Sequence, residues 1–159
     1  MYLSDPAVVL RRLAAYLRPG GIVAFHEFDL LGATSEPHCA TFELALARIR
    51  ETYIRIGADP RAGLRLRRIF REAGLPMPEM SLAARVEGGT QAMIYAQVAG
   101  VAQSLLPLME RTGVTTAPAI DIDTLAERLR AEALALDATI VSPMLVGAWT
   151  RIDSVPVAA

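Results

Sequence analysis

Residues 17–25 read Leu17-Arg18-Pro19-Gly20-Gly21-Ile22-Val23-Ala24-Phe25, and the fold class turns on this stretch. Pro19 cannot continue a helix, because it has no N–H to donate and its ring collides with the preceding turn. The glycine pair behind it lets the chain reverse through positive φ at little steric cost. Ile22–Phe25 is a short apolar run of strand-forming residues without alternation, the pattern of a strand buried on both faces. Upstream, Val9, Leu10, Leu13, Ala14 and Leu17 follow helical spacing. Ser4-Asp5-Pro6 opens that helix, with Asp5 placed to cap free N–H groups and Pro6 at the first helical position. The stretch therefore predicts one helix–turn–strand unit, the repeating element of an α/β layer protein.

Downstream, Phe42, Ala45, Leu46, Ile49, Tyr53 and Ile56 mark a helix face opposite Arg48, Glu51 and Arg55, broken at Gly57 and Asp59-Pro60. A second helix carries Leu66, Ile69, Phe70 and Ala73, closes at Gly74, and meets Pro76 beyond. Residues 80–86 predict a strand ended by Gly88-Gly89. Thr90 is placed to cap a long helix striped by Ile94, Val98, Val101, Leu105 and Leu108. Thr124 and Glu127 have capping-box spacing for a helix with Leu125, Leu129, Ala133 and Leu136 inward. Residues 138–152 predict a last strand interrupted at Ser142-Pro143.

A chain of 159 residues, 53% hydrophobic and 21% charged, is sized for one domain with a packed core. Its net charge of -1 supplies no field to recruit nucleic acid or an anionic membrane. All 16 basic residues are Arg, with no cluster in a nucleic-acid motif. The single cysteine, Cys39, excludes an internal disulfide and a thiolate-rich metal site, and fits a reducing, cytoplasmic location. No basic start followed by an apolar core marks a signal peptide. The longest uncharged stretch, 88–109, contains Gln91, Gln97, Gln103 and Pro107, and reads as a buried cap helix rather than a membrane span.

Three pieces together resemble a known family: Tyr2-Leu3-Ser4-Asp5-Pro6, then Val9-Leu10-Arg11-Arg12-Leu13, then Leu17-Arg18-Pro19-Gly20-Gly21-Ile22-Val23-Ala24. They are similar to the region that follows the cofactor site in class I S-adenosylmethionine-dependent methyltransferases. Phe70-Arg71-Glu72-Ala73-Gly74-Leu75-Pro76 resembles the helix before that family's sixth strand. The resemblance implies an α/β fold with a partial Rossmann-like methyltransferase sheet of about three strands, equivalent to the family's fifth, sixth and seventh. The seventh, here the Trp149 segment, inserts antiparallel between the other two. It also implies a single domain in which 1–30, 60–88 and 120–153 form the core, and 36–57 and 90–112 are helical cap insertions.

The family's cofactor motif, a Gly-rich turn from strand to helix, is not matched. Gly20-Gly21 runs from helix to strand, and Gly88-Gly89 is a single pair without a spaced third glycine. The resemblance thus implies a C-terminal portion whose cofactor-binding strands belong before Met1, inactive alone, with S-adenosylmethionine the cofactor of the family and not bound by this chain by itself. The strand at 22–28 would then be an unpaired edge, to be covered by a second copy in a homodimer or by an N-terminal half.

Active sites of open α/β sheets lie at the carboxyl ends of strands. That places His26 and Glu27 as candidate catalytic bases, with Asp29 nearby and Tyr2 as a cofactor contact implied by the resemblance. Strand alternation sends His26 and Glu27 to opposite faces, so one at most serves a given pocket; plain hydrogen bonding at a strand end is the alternative. His38 and Tyr95 are candidate substrate contacts from the cap. Cys39 reads as core, and Asp121 and Asp123 as helix capping rather than a metal pair. The function expected is methyl transfer to a small organic acceptor by the complete enzyme. The alternative is a non-catalytic, dimeric ligand-binding or partner subunit.

Overall fold

The computed structural model describes residues 2–152. In chain order the elements are α1 (Pro6–Ala14), β1 (Gly21–Asp29), β2 (Thr34–Glu36), α2 (Ala40–Arg55), α3 (Ala62–Glu72), β3 (Glu79–Ala83), β4 (Val86–Glu87), α4 (Ile94–Thr112), α5 (Ala117–Ile120), α6 (Leu125–Ala135), β5 (Thr139–Val141) and β6 (Met144–Ile152). They form two compact units: 2–29, 61–83 and 144–152 make the first, and 30–60 and 84–143 the second.

In the first unit α1 starts as its sequence demands, with Val8 N–H donating to Asp5 Oδ1 at 3.0 Å. The turn that follows needs both glycines. Gly20 sits at φ +84°, and a Cβ on Gly21 would lie 2.9 Å from the Arg18 carbonyl oxygen. β1 then pairs antiparallel with β6 over its whole length, from Gly21 opposite Ile152 to Asp29 opposite Met144. β3 pairs antiparallel with the other side of β6. The strand order is β1-β6-β3, so the last strand in sequence is central and its two neighbours run parallel to each other.

One face of this sheet carries the helices. α3 lies on β1 and β6, and α1 packs beside α3. Leu10, Ala14, Val23, Leu66, Phe70, Val146, Ala148 and Ile152 form the core between them. Phe25 meets Phe70 edge to face, with ring centroids 6.3 Å apart. Gly63 permits the close approach: a Cβ there would fall 2.7 Å from the Glu27 carbonyl oxygen and 2.9 Å from Val146 Cγ2. Arg11 ties α1 to the end of α3, its guanidinium donating to the carbonyls of Ala73 and Glu72 at 3.2 and 2.7 Å. The opposite face is open. Ile22, Ala24, His26 and Phe28 are exposed, whereas Val23 and Asp29 are buried, so β1 is not covered on both faces as its unbroken apolar run suggested.

The second unit joins a helical cluster of α2, α4 and α6 to a small antiparallel sheet in the order β2-β5-β4. Its core includes Phe42, Leu46, Ile94, Tyr95, Met109 and Leu125. The Glu132 carboxylate on α6 accepts from the N–H groups of both Ala40 and Thr41 at 2.8 Å, and so caps α2 across the unit. Glu87 does the same for α4, accepting from Ile94 N–H at 2.9 Å. No helix among the described residues is long and apolar enough to cross a membrane.

The mixed α/β class stands, but the strands divide between two three-stranded sheets rather than one. The run 80–86 breaks at Ala84-Arg85, leaving β3 in the first sheet and β4 in the second. Ser142-Pro143 likewise separates β5 from β6. The two breaks hold each other, with Ser142 N–H donating to the Arg85 carbonyl and Arg85 N–H to Ser142 Oγ, both at 2.9 Å. Neither Thr90 nor Thr124 caps its helix. α4 is capped by Glu87, and the Thr124 hydroxyl donates to Asp121 Oδ2 at 2.5 Å.

Gly63→Ala forces α3 away from the sheet and should cost about 1–3 kcal/mol in urea unfolding. Gly100→Ala, in an exposed helical position with nothing within 4 Å of the added Cβ, should instead gain about 0.5–1 kcal/mol. For Glu132, burial pushes its carboxyl up. The hydrogen bonds from Thr41 and Ala40 and the nearby His38 outweigh that and hold it below its ordinary value of 4.5. A depressed folded-state pKa stabilises above the unfolded value and is lost as pH falls through the folded one. Glu132→Gln should therefore destabilise at neutral pH, with the difference from the native protein shrinking as unfolding is followed below pH 4.5.

Candidate functional site

The open face of the first sheet brings a sequence-predicted base, His26, beside a second, exposed polar side chain, Ser81. His26 on β1 lies opposite Gly147 on β6, and Gly147 lies opposite Ser81 on β3. A Cβ on Gly147 would come within 2.8 Å of Ser81 Oγ and 3.0 Å of His26 Cδ2 and Nε2. The missing side chain thus lets an imidazole and a hydroxyl lean toward each other over the central strand. Trp149, one step along the same face, lies between Ala24 and Glu79, while Leu145 lies beside Phe28. The result is an exposed histidine and a serine on an apolar floor.

A neutral imidazole there can accept a proton from a hydroxyl or amine, and Ser81 stands beside it across the gap over Gly147 without a hydrogen bond between the two. Among the described residues no carboxylate hydrogen-bonds His26, so the pair lacks the third group that would fix a tautomer for nucleophilic catalysis. Glu27 is half-buried on the opposite face, its carbonyl oxygen beside Gly63, and shares no pocket with His26. Asp29 at the strand end is 2% exposed and lies 3.4 Å from Arg61 Nε, so its charge is compensated within the unit. Tyr2, before α1, is 67% exposed.

In the second unit His38 is exposed just ahead of α2 and contributes charge to the surroundings of Glu132. Tyr95 is wholly buried, and its hydroxyl donates to the Gly89 carbonyl at 3.2 Å. Burial raises its phenol above the ordinary value. A ligand could reach that ring only by displacing core, so Tyr95 serves the fold. Cys39 is buried, its N–H donating to Ser35 Oγ at 2.8 Å, and burial pushes its thiol up, which keeps it in the unreactive protonated form. Asp121, at φ +49°, holds the Thr124 hydroxyl and lies 3.5 Å from Arg128 Nε. No group of three or more His, Cys, Asp or Glu among the described residues could hold a metal ion.

Neither glycine pair forms a nucleotide cradle. Gly20 and Gly21 are used up by the reversal into β1. Gly89 turns at φ +74°, and a Cβ on Gly88 would meet the Ala138 carbonyl at 3.1 Å. The helix N-terminus that follows is already occupied by the Glu87 carboxylate, with Arg85 Nε 2.7 Å from its other oxygen. An anionic ligand there would meet negative charge.

Ser81 and Gly147 were not singled out from the sequence. The available signal was a glycine within an apolar strand run, which marks close approach of another group. Compared with known proteins, the sequence matches no family model, and no curated protein is significantly similar to it.

Proposed function

We propose that this chain is the C-terminal portion of a class I S-adenosylmethionine-dependent methyltransferase fold, from an enzyme acting on a small organic acceptor, and that it is inactive alone. The observation that carries the reading is the sheet order. After the Leu17–Gly21 turn come two parallel strands, β1 and β3, and the final strand of the chain lies antiparallel between them. An antiparallel last strand slotted between two parallel ones is an uncommon connection, and it is the one the resemblance implies. The Leu17–Gly21 turn itself, with Gly20 in the left-handed region, supports the same reading.

S-adenosylmethionine does not fit the residues of this chain. The two glycine pairs are spent on backbone packing, and the strand-to-helix turns from β4 to α4 and from β2 to α2 are closed by Glu87 and Glu132. No step of methyl transfer is therefore assigned to these residues. In the complete fold the second unit would supply the acceptor-side cap. The second reading, a non-catalytic binding or partner subunit, is favoured by the open apolar face of the first sheet.

The test is to read the coding DNA next to this chain for a strand followed by an acidic, Gly-rich turn, and to express that segment together with it. Calorimetry should show micromolar S-adenosylmethionine binding to the joint protein and none to the chain alone. Micromolar binding by the chain alone, or none by the joint protein, contradicts the reading.

A further inference from the structure

The net charge of -1 hides an uneven division. Among the described residues the first unit holds nine arginines and five carboxylates, and the second seven arginines and eleven carboxylates. The excess of the first unit sits on its helices. α1 and the segment 61–72, which is α3 with Arg61 ahead of it, carry seven arginines, all exposed, against one carboxylate, Glu72. Arg68 pairs with Glu72 at 2.6 Å, Arg61 lies 3.4 Å from Asp29, and Arg11 donates to the carbonyls at the end of α3. Arg12, Arg67 and Arg71 have no carboxylate partner among the described residues.

These three arginines share one side of the unit. At about 100° per residue, Leu10 and Ala14 face the core and turn Arg12 the opposite way. Leu66 and Phe70 likewise turn Arg71 outward and set Arg67 on its flank, about 6 Å along the helix. Arg11 holds the last turn of α1 against the last turn of α3, which brings Arg12 to within a helix spacing, about 8–10 Å, of the α3 end. Tyr16, in the turn that continues α1, follows Arg12 by four residues and is 86% exposed, the most exposed of the large apolar side chains. Met80 and Leu82 lie on the helix side of β3 yet are exposed, so α1 stands on the β1 side of α3. Chain that continued the sheet past β1 would set its helices beside α1 and leave the outward side of both helices as it stands.

We infer that this side of the first unit binds single-stranded DNA, with Arg12, Arg67 and Arg71 on the phosphates and the Tyr16 ring stacked on a base. An unpaired guanidinium offers a phosphate two parallel N–H donors, and an aromatic ring among such groups lets unpaired bases stack whatever their sequence. An anion bound here meets the local charge rather than the molecular total, because salt screens charges beyond about 10 Å. The apolar faces of α1 and α3 are buried in the core, so neither is left to lie in a bilayer. The other outward side chains, Val8 and Leu64, have no polar group to read a 2′-hydroxyl, which favours DNA over RNA. The inference is independent of the methyltransferase reading.

Fluorescence polarisation with a labelled deoxythymidine oligomer of about 12 nucleotides tests this. The chain should bind with a Kd of about 10 µM at about 50 mM salt, weakening about twentyfold by about 200 mM as three phosphates release their counterions. Arg12→Ala, Arg67→Ala and Arg71→Ala should each make the logarithmic salt dependence shallower by about 0.7. Arg111→Ala, which removes the same charge from an exposed position of α4, should leave it unchanged. Tyr16→Ala should weaken binding about tenfold with the salt dependence intact, and Tyr16→Phe should retain the native affinity. No binding at about 200 µM protein overturns the inference. So does a Tyr16→Ala variant that binds like the native chain, equal affinity for the duplex, or tighter binding to the matched uridine oligomer. Displacement by polyglutamate or by phosphatidylserine vesicles at matched charge overturns it as well.

Discussion

The first unit depends on one pairing, that of β1 with β6. Nine residues of each strand match without a bulge, and the two segments come from opposite ends of the described chain. Without β6, β1 and β3 would share no hydrogen bonds, and α3 would have half a floor. With it, Val146, Ala148 and Ile152 complete the core under Leu66 and Phe70, and the Gly20 N–H donates to the Ile152 carbonyl at 2.7 Å to lock the turn to the last strand. Because that pairing is made between distant residues, its loop-closure entropy is repaid only when helix and strand packing form together.

Local chemistry was legible in the sequence wherever it depended on neighbours in the chain. The Asp5 cap, the Leu17–Gly21 turn and the helices striped at 42–56, 66–73 and 94–108 follow from spacing and backbone sterics, although the buried face of α4 runs through Ala102 and Met109 rather than Val101 and Leu108. What could not be read was set by distant partners. An apolar run such as 80–86 or 138–152 looks like one strand, and only the exchange of hydrogen bonds between Arg85 and Ser142 makes each into two. Glu87 displaced the expected Thr90 cap of α4 for the same reason, and Glu132 caps α2, where no cap was predicted. They reach helix starts from 7 residues and about 90 residues away, beyond any local capping pattern.

The candidate site shows the same division. His26 at a strand end was legible, and so was its separation from Glu27 by alternation. Ser81 was not, because it comes to the same place over Gly147 only through the register of β3 and β1 on β6, which a single sequence does not display. Tyr95 looked like a ligand contact from its place in an uncharged helix. The structure gives its hydroxyl to the Gly89 carbonyl and closes the ring off.

The one-sided sheet has a physical consequence: Ile22 and Phe28 are exposed on one face, and β1 and β3 each pair on one side only among the described residues. The unit holds together only with β6 at its centre, and hydrogen exchange measured peptide by peptide tests that most directly. Amides of 144–152 should be the slowest to exchange in the first unit, while those of 79–83, held from one side only, exchange early. Fast exchange across 144–152, or protection of 79–83 equal to it, would contradict the strand order on which the account stands.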